Sequence, residues 1–128
     1  MKKILVEWFC YNKEGQTCGR CEDSFLVIKK TVEKMLPALT ERDIVVDLKA
    51  HLLDESRTDH SNTVTINGKD ILKLLHERDD IFTFCRSCTT ITGKPTECRA
   101  FIYKNMAYES IPEEMLREAL LQEASALS

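Results

Sequence analysis

Six cysteines punctuate the chain, at Cys10, Cys18, Cys21, Cys85, Cys88 and Cys98. Two pairs share a Cys-x-x-Cys spacing, Cys18-Gly-Arg-Cys21 and Cys85-Arg-Ser-Cys88. Such pairs serve two chemistries. As a redox dithiol, residues three apart lie on one helical face, and the unpaired N–H groups and dipole of a helix start favour a thiolate there. For the first pair this makes Cys18 the nucleophile and Cys21 the resolving thiol. Gly19 gives room for close backbone approach, and Arg20 supplies positive charge. Glu22 and Asp23 oppose a neighbouring thiolate. As metal ligands, cysteine thiolates select Zn²⁺, soft ions or iron–sulfur clusters.

The second pair has no predicted helix behind it, because "TTITGKP" reads as loop. Cys85 and Cys88 are therefore read as a second dithiol, as two further thiolates for a metal, or as a loop tied by a local disulfide to Cys98 or Cys10. Taken singly, Cys10 and Cys98 behave as small buried hydrophobes. Taken together, the cysteines form two triplets, C-x7-C-x2-C and C-x2-C-x9-C. In the metal reading all six, Cys10, Cys18, Cys21, Cys85, Cys88 and Cys98, are candidate ligands. The separation from Cys21 to Cys85 is far longer than the roughly 15–20 residues of a compact zinc ribbon. His60 is a candidate proton shuttle or ligand against a solvated loop residue, and His51 and His76 read as surface residues. The sequence shows no phosphate loop, serine triad or H-E-x-x-H helix.

The elements that must hold these groups follow from periodicity. "KILVEWF", residues 3–9, reads as a buried strand, and Asn12 and Gly15 mark a loop after it. Thr17 is placed to cap a helix in which Phe25, Ile28, Val32 and Met35/Leu36 recur at helical spacing. Pro37 is expected to kink or end it. Residues 43–53 read as a second strand, parallel to the first across the helical crossover. Val46, Leu48, Ala50 and Leu52 share one of its faces, and Asp47, Lys49 and His51 the other. Residues 63–68 read as a strand ending in an Asn-Gly turn, followed by a short helix with Ile71, Leu74 and Leu75 inward. A hairpin is predicted around Lys104-Asn105. The last helix has Ser110 and Glu113 as a capping box, Pro112 in its first turn, and a stripe of Met115, Leu116, Ala119 and Leu120. The order is βαβ, then ββα, with a cysteine-containing insertion: an α/β fold with a mixed sheet flanked by helices, in a single domain over 1–128.

"TCGRC" opening a helix after "LVEWF", with "SNTVTING" before a short helix, resembles the thioredoxin superfamily. With "FCRSC" and "ECRAFIYKNMAYESIPEEMLREAL", the chain is similar to small, cysteine-rich, thioredoxin-like prokaryotic proteins of unassigned function. The resemblance implies a thioredoxin-like fold and thiol–disulfide oxidoreductase activity without a required cofactor, the step being thiolate attack, a mixed disulfide and its resolution. The alternatives are a thiolate metal-binding protein, with Zn, a soft metal or an iron–sulfur cluster, and an interaction module with structural cysteines. The chain departs from thioredoxins at Asn62, where they carry a cis-proline, so a trans bond is expected. It departs again at Thr17, where they carry a tryptophan.

Composition narrows the partners. The 128 residues carry a net charge of −3, with 43% hydrophobic and 30% charged residues, an ordinary globular balance. No basic run suggests nucleic acid or an anionic membrane as partner, and no stretch approaches the ~18 apolar residues of a membrane span. The expected partner is a protein or small-molecule thiol or disulfide, and the expected location is cytoplasmic, where thiols stay reduced. Oligomeric state is not encoded in these features.

Overall fold

A computed structural model describes residues 2–13, 15–17 and 19–127, without the side chains of Thr17, Glu55, Thr58, Asp59 and Ser87. Cys18 lies outside the described residues. The central strand β1 (Lys2–Lys13) is longer than the apolar run that announces it. Its burial alternates: Ile4, Val6, Trp8 and Cys10 are buried, whereas Leu5, Glu7 and Phe9 are half-buried. One face thus looks into the core and the other is partly open, as period-two geometry requires.

The first strand does not give way to a loop at Asn12. It continues and pairs antiparallel with β2 (Gln16–Thr17), Asn12 facing Thr17. Thr17 therefore belongs to a strand instead of capping the helix, which starts at Gly19. That helix, α1 (Gly19–Glu41), buries Cys21, Ser24, Ile28, Thr31, Val32, Met35 and Leu39, a single stripe. It runs through Pro37 without ending there. Pro37 and Glu33, whose carbonyl loses its partner, are both exposed, so water can replace the missing bond.

Strand β3 (Ile44–Leu53) is parallel to β1, as the crossover predicts, with Lys2 opposite Ile44 and Tyr11 opposite Leu53. Its expected apolar face is only partly covered. Val46 and Leu48 are half-buried, and Leu52 is 62% exposed, because β1 is the one strand that β3 pairs with among the described residues. A 3-10 segment, Glu55–His60, leads to β4 (Thr63–Ile66), antiparallel to β1. Asn67 and Gly68 both have positive φ, the two-residue turn that Asn-Gly chemistry favours. They join β4 to β5 (Lys69–Asp70). The mixed sheet thus runs β3-β1-β4-β5, parallel and then twice antiparallel.

Helix α2 (Ile71–Leu74) is capped by Asp70, whose carboxylate accepts from the Leu72 N–H at 3.0 Å. Two small antiparallel sheets follow. The first is β6 (Phe82–Phe84) with β7 (Glu97–Arg99), which enclose α3 (Arg86–Thr92). The second is the predicted hairpin, β8 (Phe101–Tyr103) with β9 (Met106–Tyr108), turning on Lys104 and Asn105 at positive φ. Helix α4 (Glu113–Leu127) closes the chain, with Met115, Leu116, Ala119 and Leu120 fully buried as predicted. Ser110 does not complete a capping box. Its hydroxyl donates to the Arg20 carbonyl at 3.2 Å, binding the approach to α4 onto the start of α1. Helices α1 and α4 pack together and onto β1, and Trp8 meets Phe25 with ring centroids 4.6 Å apart.

Candidate metal centre

The second Cys-x-x-Cys lies at the start of a helix that its sequence hides. Cys85 follows β6 in extended geometry and caps α3, its sulfur accepting from the Cys88 N–H at 3.4 Å. Its own N–H donates to the Thr96 carbonyl at 2.9 Å. α3 stops after two turns because Gly93 takes a left-handed conformation, φ 79°, at its C-terminal end. Threonine hydroxyls fill the return: Thr92 and Thr96 lie 2.9 Å apart, and the Thr96 N–H donates to Thr89 Oγ1 at 3.0 Å. The run of β-branched residues before Gly93 reads as loop by composition. The one signal for the helix was Gly93 itself, standing where a helix end needs it.

Sheet register then brings the third cysteine in. Cys98 on β7 faces Thr83 on β6, and Cys85 lies two residues beyond Thr83, on the same side of an extended strand. One helical turn places Cys88 beside them. The sulfurs of Cys88 and Cys98 are 3.0 Å apart, and the three sulfurs of Cys85, Cys88 and Cys98 all lie within 4.8 Å of one another. All three residues are buried. The triplet C-x2-C-x9-C is thus a spatial cluster.

Of the first triplet, Cys10 and Cys21 are among the described residues. Cys10 lies within β1, and its thiol is directed to the Tyr11 carbonyl at 3.4 Å. Cys21 is fully buried, 3.0 Å from the Ser61 hydroxyl. Cys18, the expected nucleophile, lies outside the described residues. Among these, the only group of three or more metal-ligating side chains is Cys85, Cys88 and Cys98. His60 is exposed and lines a separate cavity with Asp70, Asp79 and Arg99. His51 pairs with Glu7 at 2.6 Å and stacks on Phe9, and His76 holds a positive-φ position after α2.

Two polar side chains, one on α1 and one just before β4, fasten the strands of the cluster, and sequence reasoning did not find their roles. Arg20, expected as charge support for Cys18, is buried. Its guanidinium donates to Thr83 Oγ1 at 2.8 Å, to the Phe84 carbonyl at 2.9 Å and to the Cys98 carbonyl at 3.2 Å, and meets Glu109 at 3.2 Å. It therefore grips both strands that carry the cysteines. Asn62, at the position matched to the thioredoxin proline, is buried with φ 66°, and no cis peptide bond occurs among the described residues. Its amide donates to the carbonyls of Arg99 and Glu109 at 3.0 and 2.7 Å, and its Oδ1 accepts from Ser24 at 2.8 Å. Neither role leaves a mark in spacing, because every partner is distant in sequence.

A cavity of about 480 Å³ opens beside the cluster, with Asp23, Phe84, Cys85, Arg86, Glu109 and Ser110 among its walls. It joins the first turn of α1, which carries Gly19 and Arg20 between the cysteines of the first motif, to the start of the second motif. The family comparison covers this whole arrangement. The chain belongs to the family described as DUF2703, a domain of unknown function. The match spans residues 4–120 and so includes all six cysteines, in keeping with a small cysteine-rich protein of unassigned function. No curated protein and no solved structure matches the chain. Among the described residues of this DUF2703 chain, no helix is long and apolar enough to cross a membrane.

Proposed function

We propose that this DUF2703 protein binds a thiophilic metal ion through Cys85, Cys88 and Cys98, on a thioredoxin-like frame. The carrying observation is three buried sulfurs within 4.8 Å. A four-coordinate ion with bonds of about 2.3 Å holds neighbouring sulfurs about 3.8 Å apart, a spacing this cluster can adopt. An all-sulfur donor set favours Zn²⁺, Cu(I) or an iron–sulfur iron over hard cations. The Cys88 N–H directed at Cys85 Sγ and the Arg20 guanidinium on the Cys98 carbonyl offset part of the cost of buried thiolate charge. The sheet order β3-β1-β4-β5, with α1 crossing between parallel strands, supports the thioredoxin-like frame.

Metal content and free thiols are to be measured on protein purified anaerobically without chelator. About one thiophilic ion per chain, with three thiols masked until denaturation, is expected for wild type. Cys98→Ser is expected to lose the ion. Protein that arrives metal-free and takes up none of Zn²⁺, Cd²⁺ or Cu(I) refutes the reading.

A redox reading has its own support in the 3.0 Å contact between Cys88 and Cys98. Two thiols so close need only a movement of about 1 Å to reach disulfide length. In that reading Cys88 and Cys98 form a dithiol in addition to the proposed Cys18/Cys21 pair, whose nucleophile is Cys18. A Cys88–Cys98 disulfide formed in mild oxidant by metal-free protein, and reversible by dithiol, would favour it.

A further inference from the structure

We infer that the cavity beside Cys85 binds a low-molecular-weight zwitterionic thiol of the cysteine class, which exchanges the metal ion with the cluster through Cys85. This rests on the metal reading. Of the three cluster cysteines, Cys85 alone lines the cavity, and it is 2% exposed where Cys88 and Cys98 are fully buried. A ligand approaching from solvent therefore meets Cys85 first.

The volume of about 480 Å³ is within the usual range for small-molecule sites. Its walls carry opposite charges. Arg86 and Asp23 are both exposed, and neither side chain makes a hydrogen bond or ion pair among the described residues. The other two charged groups of the wall, Arg20 and Glu109, pair with each other at 3.2 Å. Arg86 and Asp23, one cation and one carboxylate on the same opening, match the carboxylate and ammonium of an amino-acid thiol, while Phe84, 58% exposed, offers an apolar surface to its methylene. A neutral thiol meets none of the charge contacts.

The exchange is a ligand substitution. The incoming thiol gives up its proton and its sulfur bonds to the ion. The bond from the ion to Cys85 Sγ breaks, and Cys85 takes up a proton. No electrons are transferred, so no oxidant is required.

The test loads the full chain with cadmium and follows its removal through the loss of sulfur-to-cadmium absorption. L-cysteine is compared with 2-mercaptoethanol at equal thiolate concentration. Wild type is expected to release cadmium about tenfold faster to L-cysteine, the size two partly exposed charge contacts can supply. Arg86→Glu and Asp23→Lys, both at exposed positions, are expected to reduce that advantage to about twofold or less. An undiminished advantage in both variants, or no advantage in wild type, overturns the inference. Failure of the underlying reading looks different, because then the protein takes up no cadmium at all. S-methyl-L-cysteine, titrated into metal-free protein, tests the cavity separately. Shifts of the Phe84 and Arg86 amide resonances that vanish in Arg86→Glu support it, and their absence in wild type overturns it.

Discussion

Arg20 is the side chain whose loss should loosen the cysteine cluster from the start of α1. In Arg20→Met the aliphatic stem is largely replaced and the guanidinium removed. The Cys98 carbonyl belongs to a fully buried residue; leaving such an acceptor without this donor costs about 1–3 kcal/mol. Thr83 is half-buried and Phe84 exposed, so water can partly replace the donor there, adding under about 1 kcal/mol each. The expected destabilisation is about 2–4 kcal/mol. The ion pair contributes little of this, because Glu109 is 75% exposed; Glu109→Gln should cost less than about 1 kcal/mol. Urea unfolding of the two variants measures the difference. Thiol reactivity in native buffer should rise in Arg20→Met, since the clamp holds both strands that carry Cys85 and Cys98. Equal destabilisation by the two substitutions would refute the reasoning, since the ion pair and not the carbonyl acceptors would then carry the energy. So would an Arg20→Met variant within experimental error of wild type.

Asn62→Asp places a carboxylate against the carbonyls of Arg99 and Glu109, and is expected to cost about 3 kcal/mol or more at neutral pH. Part of this should return as pH falls and the protonated carboxyl donates to one carbonyl, which denaturant titration at two pH values detects. Tyr103 lines a surface cavity, and its hydroxyl donates to Glu118 at 2.6 Å. That bond, burial and nearby carboxylates push its pKa from 10.0 to about 12. Since the folded value is raised, this stabilisation is complete below pH 10 and is lost as pH rises from about 10 through 12. In ultraviolet titration of the folded protein, Tyr103→Phe should remove one late-ionising tyrosine from the curve.

Local chemistry made much of the frame legible. The Asn67-Gly68 and Lys104-Asn105 turns, the apolar stripe of α4 and the β1-α1-β3 crossover each depend on residues close in sequence, so periodicity and turn preference announce them. Where a helix was misjudged, a local rule met a tertiary one. Pro37 is tolerated because its side of α1 faces water, and α3 forms despite its β-branched residues because Cys85 caps it and Gly93 ends it. The chain by itself also names the six cysteines and leaves thiol redox, soft-metal binding and a structural role as their chemistries.

Which cysteines meet was decided only in three dimensions. The fifteen pairings open to six cysteines cannot be ranked by spacing, because the contact between Cys88 and Cys98 depends on the register of β6 against β7. Arg20 bonds to both of those strands, and Asn62 to the end of β7, each reaching across more than thirty residues of sequence. A hydrogen bond between distant residues leaves no period and no motif behind it. The sequence therefore supplies the six thiols, and the fold determines which three stand together and that Cys85 alone of them borders the cavity.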